Sequence, residues 1–124
     1  MKREGWNTVT PRLIVDDPAR AVAFLVDAFA AEGELRTGQP SILRIGDSNV
    51  MISDGFSDDR QIRVHEPTKS LLYVYVDDVD ATYTRAIAAG ASSVEEPENM
   101  PWGDRRATVA DPFGNDWQIS AYLG

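Results

Sequence analysis

Arg12-Leu13-Ile14-Val15-Asp16-Asp17-Pro18-Ala19 and Tyr73-Val74-Tyr75-Val76-Asp77-Asp78-Val79-Asp80 are two copies of one pattern. Each is a run of β-forming residues that ends in Val-Asp-Asp and opens onto helical spacing. The copies lie 61 residues apart in a chain of 124. A second echo, Val50-Met51-Ile52-Ser53 against Trp117-Gln118-Ile119-Ser120, closes each half. A repeat of that period defines the structural unit before any single element is assigned. The chain therefore reads as one domain made of two modules, at about 8–54 and 70–122, with 55–69 as a polar linker.

Each module reads as βαβββ. In the first, Thr8 to Val15 is a strand, with Pro11 marking an edge or bulge. Asp17 is an N-cap and Pro18 takes the first helical position. Val22, Leu25, Val26 and Phe29 then fall on one helical face, widened by Ala21, Phe24 and Ala28. Gly33 is the expected stop. Strands follow at Glu34–Thr37, Ser41–Ile45 and Asn49–Ser53, with turns at Gly38-Gln39-Pro40 and Gly46-Asp47-Ser48. In the second module, Ser70 to Val76 is a strand. Asp78 caps a helix whose apolar face is Val79, Tyr83, Ala86 and Ile87, and Gly90 ends it. Ala91–Glu95, Gly103–Ala110 and Asp116–Tyr122 are strands, with Glu96 to Pro101 an exposed acidic loop. Asp111-Pro112-Phe113-Gly114-Asn115 is a turn, because Pro presets φ and Gly accepts a positive one. The fold class is α+β, with sheet and helices sharing one core.

Composition narrows the function. Hydrophobic residues make up 43% and charged residues 26%, the values of an ordinary globular chain. No apolar run approaches the ~20 residues of a membrane span, and the N-terminus lacks the apolar stretch of a secretory signal. With no cysteine and one histidine, His65, thiolate zinc sites, cysteine nucleophiles and two-histidine sites are all excluded within one chain. The absence of cysteine suits a reducing cytoplasm. The net charge of −8 disfavours nucleic acid and anionic membrane as partners and favours a cationic small molecule.

The paired modules, the two Val-Asp-Asp helix openings and Asp111-Pro112-Phe113-Gly114-Asn115-Asp116-Trp117-Gln118 resemble the vicinal oxygen chelate superfamily. This group holds glyoxalase I, extradiol dioxygenases and bleomycin-resistance proteins. The resemblance runs from about Thr8 to Tyr122. It implies a cup-shaped mixed sheet with helices outside, a ligand in the cup and a homodimer. It also implies a divalent metal held by His, Glu, His and Glu, one from each of four strands. Carried onto this chain, those positions are Thr10, Met51, Leu71 and Gln118. Leu71 has no donor atom, Met51 is a soft thioether, and Thr10 and Gln118 are neutral oxygens. The resemblance is therefore to metal-free, drug-binding relatives, with no cofactor and no assigned catalytic residue. The other reading is a metal-dependent lyase, isomerase or dioxygenase of the same superfamily.

Period-two alternation picks out the ligand-facing side chains. Leu71, Tyr73 and Tyr75 share one face of their strand, while Leu72, Val74 and Val76 turn to the helical side. Thr10, Arg12, Met51, Ser53, Gln118 and Ser120 face the cup by the same rule, with Phe56, Trp102 and Trp117 on strands or rims. These aromatics line a small-molecule pocket, fill a dimer interface or close the cup entirely. Of Arg105 and Arg106 only one can face the cup; Arg106 is the candidate ligand contact, and a salt bridge is the competing role. His65 reads as a solvent-facing loop residue. Asp16-Asp17 and Asp77-Asp78 read as helix caps, and Asp54, Asp58 and Asp59 as a solvated loop without calcium-loop spacing.

Overall fold

A computed structural model describes residues 1–124. The order is β1 (Arg12–Ile14), α1 (Pro18–Phe29), β2 (Ser41–Ile45), β3 (Ser48–Ser53), β4 (Leu71–Tyr75), α2 (Val79–Ala88), β5 (Ser92–Asn99), β6 (Asp104–Ala110) and β7 (Asp116–Tyr122). Two helices and two mixed sheets make this an α+β fold, with sheet orders β1-β3-β2 and β4-β7-β6-β5. By packing, the chain divides into two units: Met1–Val26 with Ala30–Thr68, and Asp27–Phe29 with Lys69–Gly124.

In the first unit, Asp17 accepts a hydrogen bond from the Arg20 amide at 3.2 Å, and Pro18 opens α1. Ala21, Val22, Phe24 and Leu25 are buried, but Val26 is 39% exposed and does not belong to the buried stripe. The helix stops before Gly33. Ala30 takes the left-handed conformation at φ 54°, and the Ala31 amide reaches back to the Leu25 carbonyl at 3.3 Å. That bond, with the Ala30 amide donating to the Val26 carbonyl at 3.0 Å, satisfies the helix end without a glycine. Glu34–Thr37 is not a strand; only Glu32 bridges to Arg44, so the module has one strand fewer than expected. β1 is also short, because Pro11 has no amide to donate and the residues before it leave the ladder. It runs parallel to β3, and β2–β3 is a hairpin with Ile45 opposite Ser48 across Gly46-Asp47. Leu13, Val15, Leu43, Val50 and Ile52 form the buried side of this sheet.

The stretch read as a linker docks onto the first unit. Thr68 accepts from the Ile14 amide at 3.1 Å and donates its own amide to the Ile14 carbonyl at 2.9 Å. Val64 and His65 both donate to the Gly55 carbonyl. Gly55 has φ 81°, and a Cβ there would lie 2.2 Å from the His65 carbonyl oxygen, so only glycine closes this loop.

In the second unit, Asp78 accepts from the Ala81 amide at 3.0 Å and starts α2. Val79 and Ala86 are buried as expected and Thr82 joins them, while Ile87 is 36% exposed and falls outside the buried stripe. α2 packs on β5, β6 and β7. β5 continues through Glu96 to Asn99, where an acidic loop was expected; two register shifts let it follow β6 past Pro97. β4 pairs parallel with β7, which pairs antiparallel with β6.

The turn between β6 and β7 is a hydrogen-bonded clip. Asp111 Oδ1 accepts from the Phe113 and Asn115 amides at 2.8 and 3.0 Å, and Oδ2 accepts from the Trp117 indole at 2.9 Å. Asn115, fully buried, accepts from the Ser70 amide at 2.9 Å, and the Asp116 amide returns to the Ser70 carbonyl at 2.8 Å. The clip thus sets the register at which β4 joins β7. An Asp111→Ala substitution strands three donors, each worth ~1–3 kcal/mol when left unmade. We expect a loss of about 3 kcal/mol in chemical denaturation, with Asp111→Asn losing less; an unchanged midpoint for Asp111→Ala would contradict this role.

Candidate functional site

The open face of the second sheet is built by alternation from β4. Tyr73 lies opposite Gln118, which lies opposite Thr108; Tyr75 lies opposite Ser120, which lies opposite Arg106. Tyr73 and Tyr75 stand edge to face, ring centres 5.5 Å apart at 73°. They are 40% and 64% exposed, and Leu71 beside them is 63% exposed. Below the rings lies Asp104, 5% exposed. Its Oδ2 accepts from the Tyr73 hydroxyl at 2.6 Å and from the Tyr75 hydroxyl at 3.4 Å. The charge of Asp104, above all, raises the Tyr75 hydroxyl above the usual tyrosine range, with burial, Tyr73 and the hydrogen bond acting the same way. Tyr75 therefore stays a protonated donor at neutral pH.

Arg105 and Arg106 part across the strand. Arg105 turns to α2 and grips Asp80 with Nε and Nη2 at 2.8 and 2.9 Å. Arg106 lies on the open face, 5.3 Å from the Trp102 ring centre, with Nη2 3.2 Å from Glu95. Thr108 donates to the same carboxylate at 2.5 Å. Arg106 Nε and the buried Ser120 hydroxyl, neighbours across β6 and β7, have no hydrogen-bond partner. The two donors suit one acceptor oxygen.

Trp117 is not on this face. It is 2% exposed, its ring centre lies 4.9 Å from that of Phe29, and it donates to Asp111. Alternation explains this, since its neighbour Gln118 takes the open side. Asp104, Glu95, Thr108 and Ser120 complete the face. Counting by twos from Arg106 reaches Asp104 and Thr108, so that signal was available; Glu95 was hidden by the register shifts of β5.

In the first unit the candidate residues divide between two concavities. Thr10 and Met51 line one of about 410 Å³, together with Trp6. Arg12, Ser53 and Phe56 line another of about 420 Å³. Arg12 Nε donates to Ser53 at 3.2 Å. The Phe56 ring is flanked by Arg60 and Arg63, at 5.2 and 5.0 Å. His65 is exposed. Asp54 accepts from the Phe56 amide and from Arg60, and Asp59 from Ser57 and the Gln61 amide, which makes these aspartates turn formers.

The donor set does not fit a divalent metal. Leu71 offers an alkyl group, Gln118 an amide, Met51 a thioether and Thr10 a hydroxyl. No group of three or more His, Cys, Asp or Glu side chains converges anywhere in the chain.

Fold and sequence match known proteins. The profile of the Glyoxalase/Bleomycin resistance protein/Dioxygenase superfamily matches residues 7–119. The chain belongs to this superfamily. It is 37% identical over 122 residues to an uncharacterised protein of Mycobacterium tuberculosis, covering 90% of this chain and 72% of that one. It is 34% identical over 113 residues to CFP32 of Mycobacterium bovis, provisionally named a glyoxylase, covering 88% of this chain and 40% of CFP32. Among solved structures, TioX from Micromonospora sp. ML1 superposes with a TM-score of 0.77 at 30% identity, covering 94% of this chain and 99% of TioX. No helix is long and apolar enough to cross a membrane.

Glu95 gives a test of the face. The Thr108 hydrogen bond, first, and then Arg106 hold its carboxyl below the usual glutamate range, against a desolvation that pushes it up. A lowered folded pKa means the stabilisation is present above the ordinary glutamate pKa of ~4.3 and is lost as pH falls through the folded value. Because Glu95 is 44% exposed in its side chain, the contribution stays below ~1 kcal/mol. Stability measured from pH 7 to 3 should fall less steeply in Glu95→Gln than in the parent; superimposable profiles would refute the coupling.

Proposed function

We propose that this protein is a metal-independent, small-molecule binding protein that holds an aromatic, cationic compound, and that it works as a homodimer of single glyoxalase-like domains. The observation that carries the ligand class is the pair of exposed tyrosine rings, Tyr73 and Tyr75, whose hydroxyls converge on the buried Asp104 carboxylate. Ring faces attract a cation through their quadrupole. The carboxylate polarises both hydroxyls and adds a negative charge beneath. Trp102 and Leu71, both more than half exposed, extend the apolar platform. Gln118 supplies amide hydrogen bonding, and Arg106 with Ser120 supplies donors for a neutral oxygen. The chain's net charge of −8 steers cations towards it.

Calorimetric titration with phenyltrimethylammonium tests this directly. We expect saturable binding without turnover, weakened about 3- to 30-fold in Tyr75→Ala, the equivalent of ~0.5–2 kcal/mol for one cation–π contact. Failure of aromatic cations to bind would overturn the ligand class. Zinc, nickel, manganese, iron and cobalt, added singly, should leave the melting temperature unchanged. A saturable rise with any of them would replace this reading with that of a metal-dependent lyase, isomerase or dioxygenase. Light scattering should return twice the mass of one chain.

A further inference from the structure

The concavity of about 410 Å³ in the first unit has a charge opposite to that of the molecule. Lys2, Arg3 and Arg36 line it, and no aspartate or glutamate does. In a chain with twelve basic and twenty acidic residues, three cations without a carboxylate form a local reversal. We propose that this concavity binds a planar aromatic anion, an aryl carboxylate. The inference concerns residues separate from the Tyr73–Tyr75–Asp104 face and does not depend on the cation reading.

The local structure builds the site. Pro11 stands just before β1, and the segment that precedes it lines the concavity together with Ile42 and Met51 of the sheet. Arg44 holds that segment by donating Nη1 to the Gly5 carbonyl at 3.4 Å. A turn from the Arg3 carbonyl to the Trp6 amide, 3.3 Å, half-buries the Trp6 indole in the concavity wall. Lys2 Nζ donates to the Thr8 hydroxyl at 3.3 Å, which brings the ammonium back over the opening. From the other side, the buried Ser41 hydroxyl accepts from the Arg36 amide at 2.8 Å and fixes that residue beside Gln39. Met51 and Ile42 supply an apolar floor.

These parts have complementary roles. The indole offers a flat apolar surface for an aromatic ring. The guanidinium groups present paired N–H donors that match a carboxylate. The methionine floor adapts to ring shape. The volume lies at the low end of the ~300–1,000 Å³ of ligand pockets, which suits one or two rings. The global negative field is screened beyond ~10 Å at 0.1 M salt, whereas the three cations act at contact distance.

The test is calorimetric titration with 2-naphthoate and with its uncharged counterpart 2-naphthamide. We expect one naphthoate per chain, bound at least ~10-fold tighter than the amide, with an affinity that falls as salt rises. The double substitution Lys2→Gln with Arg3→Gln should weaken naphthoate about 10-fold and leave naphthamide unchanged; Trp6→Ala should weaken both. Lys2 and Arg3 are exposed, so the melting temperature of that variant should match the parent. Equal affinity for acid and amide, no naphthoate binding, or full naphthoate affinity in the double variant would overturn the proposal. Loss of naphthoate with phenyltrimethylammonium binding intact would leave the cation reading standing; the reverse would leave this one standing alone.

Discussion

A parallel pair of strands has no hairpin to set its register, so something else must. In the second unit that role falls to five residues, Asp111 to Asn115. The Asp111 carboxylate ties the turn to itself and to the Trp117 indole, while Asn115 and Asp116 take both backbone groups of Ser70. A slip of one residue between β4 and β7 would send Tyr73 and Tyr75 into the core and Leu72 and Val74 into solvent. The aromatic face, the buried carboxylate beneath it and the helix-covered side all depend on that one registration. The sequence motif that marks the superfamily is here a structural device rather than a chemical one.

The same logic separates the two neighbouring arginines. Strand geometry sends consecutive side chains to opposite faces. Arg105 meets Asp80 on α2, which ties sheet to helix; its hydrogen bonds hold the Asp80 carboxyl below the usual range and raise the guanidinium. Arg106 meets Glu95 and Trp102 on the open side. One dipeptide thus serves both cohesion and the binding face, and neither role could be exchanged with the other without inverting the strand.

Much of this was legible in the sequence. The Val-Asp-Asp repeat located both helix starts, because a capping aspartate and the first apolar turn leave a local signature. Alternation along Leu71 to Tyr75 separated the exposed Leu71, Tyr73 and Tyr75 from the helical side, whereas Trp117, also read as a candidate ligand contact, is buried. What was less legible has physical causes. Ala30 ended α1 in a conformation that residue type alone does not favour. Pro11 shortened β1 further than its neighbours suggested. β5 absorbed a proline and two register shifts, which no period-two count can follow, and so concealed Glu95. The stretch 55–69 read as a polar linker, yet backbone hydrogen bonds to Ile14 and Gly55, invisible to composition, hold it down. The N-terminal basic residues carried no periodic signal at all.

β5 is also one of the two edge strands of its sheet, with Glu95, Glu96 and Glu98 along it and Pro97 among them. An unpaired sheet border is normally a template on which a foreign strand can add. Here the imide nitrogen leaves a gap in the row of donors, the offsets bend the ladder, and clustered negative charge repels an incoming copy. The features that made this strand hard to foresee are those that protect that border against runaway polymerisation. They leave the protein free to expose aromatic rings elsewhere on the sheet at less risk of forming fibres through this edge.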